Sequence, residues 1–235
     1  MDVSTTSTPN GANLPASAEE RELVREVLSE EYRVLASALS AAWSASLVRT
    51  SIFLGVLSAS VVALGLVVRS ESFTQFALVI LPLALFLGLA TFERVVEIQR
   101  EATIYITGMN RIRFFFQTVA PASRPFFILP SHDDDVGLYR SQGTGMHRRA
   151  PRFGVGLALV QTQGIVGVVC AVLAAAIAGL ASVGAGPAVV TSVAGATFAI
   201  TLVALVVYWR GSFDALRKAI RPINPTPPDE TEAPF

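Results

Sequence analysis

Apolar residues run along this chain in four long stretches, Ala45–Val68, Phe73–Phe92, Val155–Ser182 and Ala188–Trp209, with almost no charge inside them. At a helical rise of about 1.5 Å per residue, each reaches the roughly 20 residues that a hydrocarbon slab ~30 Å thick requires. The pattern predicts an all-α integral membrane protein with four transmembrane helices arranged as two hairpins. Hairpin 1 spans residues 45–92 and turns at Arg69-Ser70-Glu71-Ser72; hairpin 2 spans 155–209 and turns at Gly184-Ala185-Gly186-Pro187. Pro82 falls in the middle of the second span, where it removes a backbone donor and predicts a kink.

Between and around these stretches the polar positions recur with helical spacing. Ser17-Ala18-Glu19-Glu20 has the form of a helix start, a capping hydroxyl followed by acids at the positive end of the helix. Val24, Leu28 and Leu35 then share a stripe, with Val27, Val34 and Ala41 beside it and Glu22, Arg25, Glu26 and Glu30 facing away. Residues 17–44 therefore read as an amphipathic helix leading into the first span, with Trp43 and Arg49 suited to the bilayer boundary. After the second span, Val95, Ile98, Ala102, Tyr105, Met109, Ile112 and Phe116 keep the period. That helix is expected to continue out of the bilayer to about Val119, where Pro121 stops it, and to pack on the amphipathic helix. Residues 93–154 are thus a helix followed by a loop, which starts at Pro121 and carries the run Asp133–Asp135. Met1–Ala16 reads as an unstructured lead. Within 210–235, Ser212–Ile220 is expected as a short surface helix, and the Pro-rich remainder as largely disordered.

Composition agrees with the pattern: of 235 residues, 52% are hydrophobic and 15% charged, too apolar for an ordinary soluble domain. The net charge of zero hides an uneven distribution. Of 18 basic residues, four lie in residues 1–49, nine in 93–154, four in 209–235, and only Arg69 lies in a connecting turn between spans of one hairpin. The excess of positive charge places both termini and the central loop in the cytoplasm, for a multi-pass protein of the cell (inner) membrane. Ala/Val/Gly-rich spans with Arg preferred to Lys resemble bacterial multi-span membrane proteins in composition, and no motif carries the likeness further.

Several clusters compete for a functional role. Arg111 and Arg113, followed by Phe114-Phe115-Phe116, could hold an anionic lipid headgroup or a partner's carboxylates. The plainer alternative has the aromatics packing on the N-terminal helix and the arginines balancing Glu97 and Glu101. Ser131-His132-Asp133-Asp134-Asp135 with His147 could bind a divalent cation, but a solvated loop is the simpler reading, so no metal or cofactor is expected. Small residues recur every four positions as Ser51, Gly55, Ala59 and Ala63, as Gly167, Ala171, Ala175 and Gly179, and as Thr191, Gly195 and Ala199. Such rows let helices approach closely, within one chain or between copies. The hydroxyls Ser58, Ser60, Thr197 and Thr201 either line a polar path or bond their own helix backbone. Cys170 reads as an apolar filler.

No phosphate loop, zinc-binding helix pair or nucleophile elbow is present, and no acid, lysine or histidine interrupts the middle of a span. Basic residues are diluted by equal acids, which argues against nucleic acid. The expectation is a non-enzymatic accessory, scaffold or regulatory subunit, with the bilayer, anionic lipids and a homo-oligomer or membrane-protein partner as its contacts. A small oligomeric channel or transporter is the alternative.

Overall fold

The computed structural model describes residues 17–142 and 162–227. The described residues are helical, without strands, in the order α1 Ala18–Val67, α2 Phe73–Val119, a 3₁₀ turn Pro121–Phe126, α3 Asp135–Ser141, α4 Thr162–Ala181, a 3₁₀ turn Val183–Ala185 and α5 Pro187–Ala219. Four of these, α1, α2, α4 and α5, are long and apolar enough to cross a membrane. The lead Met1–Ala16, the expected start of the third span, His147 and the acidic end beyond Pro227 lie outside the described residues.

Local signals set the helix ends. Ser17 caps α1, its hydroxyl accepting from the Glu20 N–H at 3.0 Å. Helix α1 then continues without interruption into its apolar half. Helix α2 is assigned as unbroken through Pro82 and through the charged turns after Phe92. It stops at Val119, before Pro121, because proline supplies no donor and restricts the residue before it. Between α4 and α5 the backbone turns at Gly186, whose φ of +96° suits a residue without Cβ.

Two expectations change. Ser212–Ile220 is not a separate surface helix, because α5 runs on to Ala219. The stretch after Pro121 is not wholly irregular either, since it contains a 3₁₀ turn and α3.

Packing divides the chain into two compact units. The first draws on Met1–Ala41, Glu101–Arg152 and Ile220–Phe235, the second on Ala42–Arg100 and Phe153–Ala219. In the second, Phe53 of α1, Ala77, Leu81, Ala84, Phe92 and Val96 of α2, and Val166, Cys170 and Leu173 of α4 form one buried cluster, with Leu205, Trp209 and Phe213 of α5 packed against it. Gln99 of α2 donates to the side-chain oxygen of buried Gln163, pairing two amides beside this cluster. In the first unit α1 and α2 meet where Leu35 covers Gly108, so closely that a Cβ at Gly108 would lie 2.9 Å from its Cδ1.

Candidate functional site

In the first unit, polar side chains converge from α2, the loop before α3 and the stretch after α5. Asn110, Arg113 and Gln117 share one face of α2, being three and four residues apart, and Arg111 stands beside them. Asn110 is buried; its amide nitrogen donates to the His132 carbonyl at 2.7 Å and to the Ser141 hydroxyl at 3.0 Å. Gln117 accepts from the Ser131 hydroxyl at 2.9 Å. These bonds fasten both ends of the loop segment to the helix.

Asp134 caps α3, its Oδ1 accepting from the Gly137 N–H at 2.9 Å. The turn is so tight that a Cβ at Gly137 would sit 2.1 Å from the His132 carbonyl oxygen. Only glycine fits there, because the obstacle is backbone and cannot swing away.

Asp133 and Asp134 receive the segment that follows α5. Pro222, Pro225 and Pro227 keep this strap out of helix, and the N–H groups between them all bond to carboxylates. The Ile223 N–H donates to Asp133 Oδ2 and Oδ1 at 2.8 and 3.0 Å, and the Asn224 N–H to Oδ1 at 2.8 Å. The Thr226 N–H donates to Asp134 Oδ2 at 2.9 Å and its hydroxyl to Oδ1 at 2.7 Å. In return, the Asp133 N–H donates to the Asn224 carbonyl at 3.2 Å, and the Asn224 amide to the Ser131 carbonyl at 3.2 Å. Far from being unstructured, Arg221–Pro227 is held in place through hydrogen bonds to its backbone.

Arg111 completes the cradle. Its Nε donates to Asp133 Oδ2 at 2.8 Å and another guanidinium nitrogen to the Arg221 carbonyl at 2.8 Å. The Asp133 side chain is 0% exposed and that of Arg111 35%, so a buried carboxylate is matched by a cation reaching in from the surface. A buried charge is tolerable only when paired and hydrogen-bonded, and Asp133 is both. Burial pushes the Asp134 carboxyl up, but the donors from Gly137 and Thr226, with the nearby His132 charge, outweigh it and hold the group below its ordinary value.

Arg113 turns inward and is only 5% exposed. It donates to Asn110 Oδ1 at 2.5 Å and to the Tyr32 hydroxyl of α1 at 2.8 Å, with its guanidinium carbon 5.4 Å from the Tyr32 ring centroid. The two arginines expected to act together therefore do different things: Arg111 holds the strap and Arg113 ties α2 to α1. The acid facing Arg111 is Asp133, and Glu97 pairs instead with Arg94 at 2.8 Å. With both loop carboxylates given to backbone donors, the described residues contain no group of three metal-binding side chains.

The predicted small-residue rows divide. On α4, Gly167, Ala171 and Gly179 are buried and Ala175 half-buried, with Gly167 beneath the Phe92 ring. Gly55 and Ala59 on α1 and Gly195 and Ala199 on α5 are exposed, and a Cβ at Gly55 or Gly195 would touch nothing. Among the described glycines at helix–helix contacts the closest approach is at Gly88 on α2, which sequence reading passed over. A Cβ at Gly88 would lie 2.7 Å from Cys170 Sγ and 2.9 Å from the Phe53 ring. Its signal was the series Ala77, Ala84, Gly88, spaced seven and four. Ser58 and Ser60 donate to the Leu54 and Val56 carbonyls at 2.8 Å, bonding their own helix. Beside Phe92, Gly167 and Trp209, a cavity of about 20 Å³ has room for one water.

Comparison with protein-family models, with curated proteins and with solved structures returned no match.

Proposed function

We propose that this chain is a non-enzymatic membrane subunit, a scaffold or regulatory protein acting through protein or lipid contacts at the cytoplasmic face. One observation carries the reading. The ionisable side chains that could have formed a reaction site in the first unit, Arg111, Arg113, Asp133 and Asp134, bond to one another, to neutral side chains or to backbone. Besides the charged face of α1, that unit offers apolar side chains outward, including Leu23, Val27 and Val34 on α1 and Phe126 and Ile128 after α2, the last two 84% and 92% exposed. Exposed apolar surface beside carboxylates already bonded to backbone and to Arg111 is the property of a contact module rather than a catalytic one.

In this reading the four long apolar helices pair as two transmembrane hairpins in the inner membrane, with both termini cytoplasmic by the distribution of basic residues. Anionic lipid meets Arg111 rather than Arg113, because only Arg111 keeps solvent exposure. The test is extraction into nanodiscs from the native host, followed by native mass spectrometry. A stoichiometric protein partner is the expected result, and a chain that never retains one would refute the reading.

A second reading is favoured by the exposed rows Ser51, Gly55, Ala59 and Thr191, Gly195, Ala199, which leave helix faces able to pack closely against other copies. That arrangement is an oligomeric channel, and solute flux through reconstituted liposomes without any partner would establish it.

A further inference from the structure

Helix α1 carries two apolar stripes in its first half, and only one is covered. Val24, Leu28, Tyr32 and Leu35 are half-buried, with Leu35 on Gly108 and Tyr32 on Arg113. Leu23, Val27 and Val34 lie within about 40° of one line along the helix at its 3.6-residue turn. They are 61%, 58% and 50% exposed. Glu26 flanks this second stripe on one side and Glu31 on the other, while Glu30 lies in the stripe and is bound to Arg33. Residues 17–34 hold six acids against three arginines. Of those arginines, Arg25 and Arg33 are already paired, with Glu22 and Glu30.

Charge decides the occupant. A second copy of the same stripe would bring Glu26, Glu30 and Glu31 of each chain against their counterparts, and like charges at such a seam oppose pairing. A cytoplasmic leaflet is itself negative and repels the same rim. We infer that the Leu23/Val27/Val34 stripe is the docking surface for a basic amphipathic helix of a partner protein. The partner's apolar face covers Leu23, Val27 and Val34, and its lysines or arginines meet Glu26 and Glu31. This deepens the scaffold reading above by giving that scaffold's partner a chemistry.

The test uses the full chain in phosphatidylcholine nanodiscs, which carry no net lipid charge. The probe is a synthetic helical peptide of leucine and lysine, with leucine along one face, and its control has glutamate for every lysine. The lysine peptide is expected to bind and to weaken as salt is raised. Leu23→Asp/Val34→Asp and Glu26→Lys/Glu31→Lys should each weaken it about tenfold or more. All four side chains are exposed, so thermal unfolding of both variants should match the parent. Equal binding of the glutamate peptide, or unchanged affinity in either variant, would overturn the inference. So would disulfide-linked dimers forming through Val27→Cys, which would make a second copy the occupant. Docking is read on the isolated chain, so its failure removes this surface alone. The scaffold reading stands or falls separately, on partners retained from the host membrane.

Discussion

Arg111 Nε donates to Asp133 Oδ2 at 2.8 Å, and the same carboxylate, closed to solvent, holds the N–H groups of Ile223 and Asn224. One buried charge thereby joins α2, the loop before α3 and the strap after α5. Replacing Asp133 by Ala leaves two backbone donors without an acceptor and Arg111 without its acid. The expected loss of stability is about 3 kcal/mol, the range for breaking a buried pair. Arg111→Ala should lose less, because its side chain is one-third exposed and the strap N–H groups still serve the carboxylate. Denaturant unfolding in mixed micelles gives the size, and amide exchange at Ile223 and Asn224 gives the place. Protection at those amides surviving Asp133→Ala would show that the carboxylate does not hold the strap.

The Asp134 carboxyl makes the strap sensitive to acid. Its folded-state pKa is held below the ordinary 3.8 by the Gly137 and Thr226 donors, in spite of burial. Its contribution is therefore complete above that value and disappears as pH falls through the lower folded-state value. Protection of the Thr226 amide, corrected for intrinsic exchange, should be flat at neutral pH and fall in that acidic window. Asp134→Asn should weaken protection already at neutral pH and remove the acid-dependent step. A strap that loosens at neutral pH in the parent chain would contradict the assignment.

Much of the helical frame was readable from the chain, because it rests on local physics. The end of α2 follows from a period that runs to Phe116 and a proline at 121, and the start of α1 from Ser17. The strap was not readable. Asp133 recognises Ile223 and Asn224 through backbone N–H groups, across 90 and 91 positions, and almost any residue presents such a donor. An Asp run and a Pro-rich end each look solvated when taken singly; only their juxtaposition shows that each completes the other. The small-residue rows divided for a related reason, the row on α4 being buried and those on α1 and α5 exposed. Period alone marks a face as smooth, and Gly55 and Gly88 look equally suited to contact until their neighbours are known.

Gly88 and Gly55 therefore make a matched pair. Gly88→Ala should cost about 1–3 kcal/mol, since the new methyl must displace the Phe53 ring and Cys170 Sγ within a packed cluster. Gly55→Ala and Gly195→Ala, with nothing in reach, should stay within about 0.5 kcal/mol of the parent. Pairing Gly88→Ala with Phe53→Leu should recover part of the loss, because neighbouring substitutions couple. Unfolding of the four variants in the same micelles measures all of this. Equal effects at Gly55 and Gly88 would mean that the α1–α2–α4 contact at Gly88 is not formed.

The Arg113–Tyr32 contact tests how the first unit joins α1 to α2. Arg113 is buried among neutral partners, so its charge rests on the Asn110 oxygen, the Tyr32 hydroxyl and the Tyr32 ring. Tyr32→Phe keeps the ring and loses one hydrogen bond to a charged group, an expected loss of about 1.5–3 kcal/mol. Arg113→Lys keeps the charge but lacks the planar fork that reaches both oxygens, so it should be at least as damaging. Arg113→Ala should be worst, because it also empties the space between the helices. The order Ala, then Lys, then Phe, read from unfolding midpoints at one denaturant slope, is the prediction. A Tyr32→Phe variant as unstable as Arg113→Ala would place the essential contact in the phenol rather than the cation.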